Sequence, residues 1–358
     1  MSGEFDLIRR HFRRPSTRAD VRLGVGDDAA LLRVPSGREL VVAMDTLVEG
    51  VHFLPDVDPA ALGHKALAVN LSDLAAMGAE PAWATLALTL PAVDEDWIAR
   101  FCAGFFALAE RFEVDVVGGD TTRGPRAITV QAHGFVPSGA ALLRSAARPG
   151  DAVYVTGTLG DAGLALLLAT ARLGGETAAI DGAGGDVAAL RDRLDRPTPR
   201  IAEGIALRGL ARACIDVSDG LYADLSHILE ESGVGATVEL GALPLSRPLR
   251  AITGDPRLAG RLTELLGVDA IVPSSGDRAA ALRAELALGS GDDYELCFTV
   301  PPEAAAAAEA ALDACGSSWA RIGVIEAGAG LRCRFPDGRL YHPRRGGHDH
   351  FADTEQSR

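Results

Sequence analysis

Seven aspartates stand in five short clusters punctuated by glycine or serine, the company in which carboxylates meet hard divalent cations and phosphates. The clusters read GDDAALL (26–32), MDTLVEGVHF (44–53), NLSDLAAMG (70–78), GGDTTRG (118–124) and DVSDGL (216–221). They carry Asp27, Asp28, Asp45, Asp73, Asp120, Asp216 and Asp219, and Asp224 follows just beyond the last. Mg2+ usually joins one or two carboxylates to substrate phosphates and seldom sits in an all-protein cage. Acids spread over so many segments imply a metal-and-phosphate centre assembled from distant parts of the chain.

Each cluster also has a plain structural reading. In GDDAALL adjacent strand residues face opposite ways, so only one of Asp27 and Asp28 is expected to reach a shared site; the alternative is an acidic turn. In GGDTTRG two glycines before Asp120 admit a close backbone approach, so Gly119 and Asp120 can meet a nucleotide phosphate and its metal together. DVSDGL sets Asp216 at a strand end and Ser218-Asp219 at a helix N-terminus, where capping and anion binding are compatible. Asp73 lies in a helix otherwise rich in Leu, Ala and Val, where a lone carboxylate is costly unless paired or metal-bound; the alternative is a solvated face. Arg144 suits a bidentate phosphate clamp or a plain surface position. His52 shares the cluster of Asp45, and Asp292-Asp293 in SGDDYELCF (290–298) precede a buried strand, as ligands or as a capped turn. GTLGDAG (157–163) departs from GxGxxG and reads as a domain-joining turn.

Composition narrows the classes. A net charge of −14 argues against non-specific nucleic-acid binding and against an anionic membrane surface. Lys65 is the sole lysine and no GxxxxGK[ST] occurs, so metals and arginine, not a P-loop, must hold any phosphates. The five cysteines form no CxxC pair, which argues against a zinc ribbon or a disulfide framework. With no run approaching a membrane span and no signal-like N-terminus, the chain is expected to be soluble and cytoplasmic.

The elements that must position these residues alternate. Residues 39–44 read as a strand delivering Asp45 at its end. Asp58-Pro59 opens a helix that Gly78 and Pro81 close, with Asn70 and Asp73 on one face. Further expected elements are a strand at 84–90, a helix at 94–112, a strand at 114–117 ending in Gly118-Gly119-Asp120, and a strand at 128–136. After a loosened stretch at 137–150 the alternation restarts with a strand at 152–156 and a helix at 161–173. The Gly/Ala-rich stretch 174–186 is expected as a surface excursion. Later come a strand at 213–217, a helix at 219–231, a strand at 294–300, a helix at 302–315 and a strand at 320–325. At 358 residues, two α/β units are the economical description.

In their order, GEFDLI, GDDAALL, DTLVEGVHF, KALAVNLSDLAAMGAEP, GGDTTRG, VTGTLGDAG, DVSDGL and DDYELCF make a chain that closely resembles the thiamine-monophosphate kinase family, part of the aminoimidazole ribonucleotide synthetase-like superfamily. The resemblance implies an α/β (α+β) fold of two domains. An N-terminal domain at 1–137 would bind ATP and Mg2+ and pair its sheet in a homodimer; a C-terminal α/β domain at 150–345 would complete a site near the domain junction. It further implies phosphorylation of thiamine phosphate to thiamine diphosphate by ATP. By motif position Asp28, Asp45, Asp73, Asp120, Asp216 and Asp219 would be ligands of several Mg2+ ions, Gly119, Asp120, Arg144 and Ser218 would contact ATP, and His52, Asp292 and His348 would face thiamine phosphate. The chain departs from the family at Ala43-Met44, where hydroxyl residues are frequent, at Asp292, where glutamate is usual, and at His348, where an aromatic ring is usual. An acceptor phosphate is already ionised at neutral pH, so the expected chemistry needs positioning and charge neutralisation but no general base. Selenophosphate synthetase, in the same superfamily, would carry a reactive Cys and Lys near the N-terminus, and neither precedes Lys65.

Overall fold

The computed structural model describes residues 8–170, 184–268, 275–344 and 346–347. The chain divides into two compact units, Met1–Leu142 with Asp195–Arg208 and Leu143–Leu194 with Gly209–Arg358.

The first unit opens with a small hairpin of β1 (Val21–Leu23) and β2 (Leu31–Leu32), then builds a sheet from β3 (Arg38–Val48), β4 (Glu80–Leu90), β5 (Asp115–Arg123) and β6 (Ala127–Pro137). Strand order is β3-β6-β4-β5, antiparallel except for β4 and β5. That parallel pair needs a crossover, which helix α2 (Glu95–Arg111) supplies. Helix α1 (Pro59–Ala76) starts where Pro is tolerated, and its cap Asp58 accepts the Ala61 N–H at 2.9 Å. It is apolar on nearly every side because it packs on β3 and β6 and on α2 at once. On the other face of the sheet, Val21 and Leu32 of the hairpin cover Trp83 and Phe135. Residues 195–208, with a short helix at Ile201–Ala206, complete this unit: Pro197 carbonyl meets His64 Nε2 at 2.9 Å, and Arg208 pairs with Glu80 at 3.0 Å.

Three local expectations change here. β3 does not end at Asp45: it runs on to Val48 because β6 offers eleven consecutive partners. β5 likewise passes through Gly118-Gly119-Asp120 to Arg123, held by β4. GDDAALL is not a strand at its acids; Gly26 turns the chain, Asp28 lies in a bend, and Asp27 and Asp28 are both exposed.

The second unit centres on a seven-stranded sheet of β7 (Ala152–Thr156), β8 (Ala213–Asp216), β9 (Gly235–Glu239), β10 (Leu296–Val300), β11 (Trp319–Glu326), β12 (Gly330–Arg334) and β13 (Leu340–Tyr341). The order is β13-β12-β9-β11-β7-β10-β8, and only β9 and β12 run parallel. β7, β8 and β10 are buried at every position, as strands covered on both faces must be. The unit's helices are α3 (Asp161–Thr170), α4 (Gly184–Asp195), α5 (Leu221–Ser232), α6 (Arg247–Gly254), α7 (Pro256–Leu265), α8 (Ser275–Gly289) and α9 (Ala305–Ala314). GTLGDAG joins β7 to α3 inside this unit and links no domains. Of the stretch 174–186, only the last three residues lie within the described residues, where they open α4.

Candidate functional site

The first unit gathers one constellation around α1. Asn70 is fully buried and its Oδ1 accepts the Asp45 N–H at 3.0 Å, while its Nδ2 donates to Ala66 carbonyl at 3.1 Å. One amide side chain thus fastens α1 to β3 at Asp45. Asp73 follows one turn later on the same side of the helix, half-buried where its neighbours are buried. His52 sits just past the end of β3, and its Nδ1 accepts the Val48 N–H at 2.9 Å. A neutral imidazole held this way carries its proton on Nε2.

Asp120 stands elsewhere in the same unit. Register runs Asp45 to Val130, Val130 to Leu86 and Leu86 to Gly119, so β3 and β5 are the two edges with two strands between them. Three strand spacings amount to roughly 14 Å. Gly119 is required at its place: a Cβ there would lie 1.9 Å from Leu86 carbonyl oxygen. Gly119 and Asp120 are exposed, and with Phe12, Val25 and Leu86 they line a small cavity of about 50 Å³.

The second unit brings Asp216, Ser218, Asp219 and Asp292 together. Asp216 ends β8 and is buried; Ser218 and Asp219 form the half-buried turn into α5. The Asp292 N–H bonds Ser218 carbonyl and the Tyr294 N–H bonds Val217 carbonyl, both at 2.8 Å. Asp292 and Tyr294 have φ of 67° and 51°, a conformation costly for side-chain-bearing residues, and these bonds hold it. The Tyr294 hydroxyl donates to Asp292 Oδ1 at 3.0 Å. Gly291 permits the approach, since its Cβ would fall 2.2 Å from Ser218 carbonyl oxygen. Gly347 packs against Ala223 and the Asp219 carbonyl, whereas His348 lies outside the described residues. Arg144 runs beside β8, where its neighbour Leu143 accepts the Cys214 N–H at 2.9 Å.

Asp224 is not the helix-surface residue its place in α5 implies. It is buried, and its Oδ2 accepts the N–H groups of Ser218, Asp219 and Gly220 at 3.1, 3.1 and 3.0 Å. Burial, reinforced by the charges of Asp216 and Asp219, pushes its carboxyl up to about 8 despite those bonds. A second buried network supports the neighbouring loop. Asp293 Oδ2 accepts the Gly160 N–H at 2.7 Å, while its Oδ1 is buried without a partner; burial holds this carboxyl well above the usual range. Glu295 accepts from Thr156 at 2.7 Å and pairs with Arg193 at 2.8 Å, and Asp161 accepts from Thr158 at 2.6 Å and Ser246 at 2.5 Å. Asp224, Asp293, Glu295, Asp161 and Arg193 escaped sequence reasoning as supports; an acid a few residues into a helix after a Gly turn was the signal for Asp224.

Among the described residues no three His, Cys, Asp or Glu side chains converge as a preformed metal cage. The donor set still fits a hard cation. It is all carboxylate oxygen, and Asp216 and Asp219 accumulate enough negative charge to perturb a third acid.

Residues 26–136 match the family model of the AIR synthase related protein, N-terminal domain, and residues 148–335 that of the C-terminal domain. The thiamine-monophosphate kinase of Salmonella typhimurium is 48% identical over 353 residues, covering 98% of both chains. A crystal structure of thiamine-monophosphate kinase from Stenotrophomonas maltophilia has a TM-score of 0.75 at 44% identity, covering 91% of this chain and 93% of that one. AaThiL complexed with AMPPCP and TMP gives a TM-score of 0.68 at 32% identity, over 91% and 92% of the two chains.

Proposed function

The chain belongs to the thiamine-monophosphate kinase family within the AIR synthase related proteins, and from that premise we propose how its residues share the reaction. It is a thiamine-phosphate kinase, which phosphorylates thiamine phosphate with ATP. The γ-phosphoryl group leaves ADP and joins an oxygen of the acceptor phosphate, giving thiamine diphosphate. That oxygen is already ionised at neutral pH, so the in-line transfer uses no general base.

Asp28, Asp45, Asp73, Asp120, Asp216 and Asp219 are the residues that would hold Mg2+. When bound, the cation neutralises phosphate charge so that two polyanions can approach. The chain's own groups do the positioning. Ser218 and the backbone beside Gly119 bind the nucleotide, with Arg144 as a bidentate clamp on its phosphates. His52 offers its Nε2 proton to the acceptor, and Asp292 faces the same substrate one methylene shorter than a glutamate would; His348 is assigned with them. The observation that carries this reading is the Asp224 nest, which fixes Ser218 and Asp219 beside the Asp292 loop.

A homodimer formed through the first unit's sheet is supported by Leu40, Val42 and Met44, alternate residues of β3 that expose 42%, 49% and 62% of their surface. No described helix is long and apolar enough to cross a membrane, and none of the five cysteines forms a disulfide, which suits a reducing cytoplasm. Purified protein titrated with ATP, Mg2+ and thiamine phosphate should yield thiamine diphosphate and ADP in equal amounts. Asp120→Asn should lower kcat/KM by at least about 100-fold with an unchanged melting temperature. ATP binding without product would establish a binding protein instead, and full turnover by the variant would remove Asp120 from the ligand set.

A further inference from the structure

In the second unit, α6 and α8 face the short 3-10 turn Leu240–Ala242 across a cavity of about 180 Å³. Its wall is apolar, with Leu240, Leu243, Leu245 and Phe335, and its polar groups are two guanidiniums, Arg250 and Arg283. An apolar cavity of about 150 Å³ holds one benzene ring, so this space fits a single ring.

Both arginines are oriented before any ligand arrives. Arg283 donates Nε to the hydroxyl of the buried Thr253 at 2.8 Å and Nη2 to Arg250 carbonyl at 3.2 Å. Arg250 donates Nε to Leu245 carbonyl at 3.2 Å. No carboxylate pairs with either among the described residues, whereas half-buried arginines elsewhere in this unit have one: Arg193 has Glu295 and Arg212 has Asp151. The consequence is visible in the electrostatics, since burial and the neighbouring Arg250 together hold Arg283 below its ordinary value. Two like charges beside an apolar cavity, with donors left over, are unfavourable alone and favourable around a dianion.

We propose that this cavity is a second small-molecule site, distinct from the residues of the kinase reaction, that takes a phosphate monoester with an aromatic body. The ring enters the apolar wall, and the phosphate bridges Arg250 and Arg283. A carboxylate brings one charge where two cations wait, whereas a phosphate monoester brings nearly two at neutral pH.

Calorimetric titration of the full chain with phenyl phosphate tests this, with the products ADP and thiamine diphosphate, neither of them a phosphate monoester, held at saturation so that the substrate sites are filled. One saturable equivalent per chain is expected, with inorganic phosphate and benzyl alcohol each binding at least about tenfold more weakly. Arg283→Met keeps the apolar stem and should weaken phenyl phosphate by about tenfold or more, as should the exposed Arg250→Ala, which stays informative if Arg283→Met fails to fold. Absence of saturable binding, equal binding of inorganic phosphate, or undiminished binding by Arg250→Ala would overturn the proposal.

Discussion

Asp224 collects three backbone N–H groups on one carboxylate oxygen, and the loop it holds carries Ser218 and Asp219. Asp224→Ala would leave three donors unpaired, the buried Gly220 N–H at about 1–3 kcal/mol and the part-buried Ser218 and Asp219 N–H groups at less. The expected outcome is a lower melting temperature together with a rise of at least about tenfold in the KM for ATP, because the displaced loop carries the nucleotide contact proposed for Ser218. Asp224→Asn keeps an acceptor oxygen and should retain most of both. Equal, wild-type-like kinetics for the two variants would reduce Asp224 to a bystander. Its position beyond the DVSDGL cluster gave no sign of this role, for a geometric reason. Side chains in a helix tilt toward its N-terminus, so an acid in the first turn covers the preceding loop and not the solvent beside it. Asp292 and Asp293 show the converse: the sequence left ligand and capped turn both open, and the fold separates them, with Asp292 half-buried on the Ser218 side and Asp293 buried on Gly160.

Helices α1 and α2 meet backbone to backbone, which no pattern of apolar residues announces. A Cβ at Gly63 would lie 2.0 Å from Phe101 carbonyl oxygen, and one at Gly104 would lie 1.8 Å from Ala60 carbonyl oxygen. That approach seats α1 deep enough for Asn70 to reach the Asp45 amide. Gly104→Ala gains up to about 1 kcal/mol of helix propensity but must push the helices apart, at about 1–3 kcal/mol or more. A fall in the urea midpoint is therefore expected. Gly260→Ala in α7, where nothing lies within 4 Å, isolates the propensity gain and should raise the midpoint. If both variants shift the same way, the close contact is not what the glycine serves. Helix α1 was legible through its cap, Asp58-Pro59, because capping is a local matter, and α2 as an apolar run whose cap proves to be Asp94. Strand ends were not. Polar or glycine residues looked like terminations at Asp45 and Asp120, but length in a sheet is decided by partners far away in the chain, and β6 and β4 supply them.

At the scale of the whole molecule, the register of the first sheet bears on the proposed dimer. Asp45 lies on edge strand β3 and Asp120 on edge strand β5, roughly 14 Å apart by strand spacing, so within one chain they cannot ligate one ion. A centre that uses both needs a second copy to bring the edge of its sheet alongside. The exposed row of Leu40, Val42 and Met44 gives that copy an apolar surface to cover, against the repulsion of two chains that each carry −14. Met44→Asp places a further negative charge in the row and should shift sedimentation from dimer to monomer, with recovery opposed further at low salt. A complementation experiment separates a shared centre from mere association. Asp45→Asn and Asp120→Asn chains should each be inactive alone. In a mixed dimer one centre would carry both substitutions and the other neither, so random mixing, in which about half the dimers are mixed, should restore about a quarter of wild-type activity. A mixture that stays inactive while its chains demonstrably exchange would show that each chain's carboxylates serve separate ions.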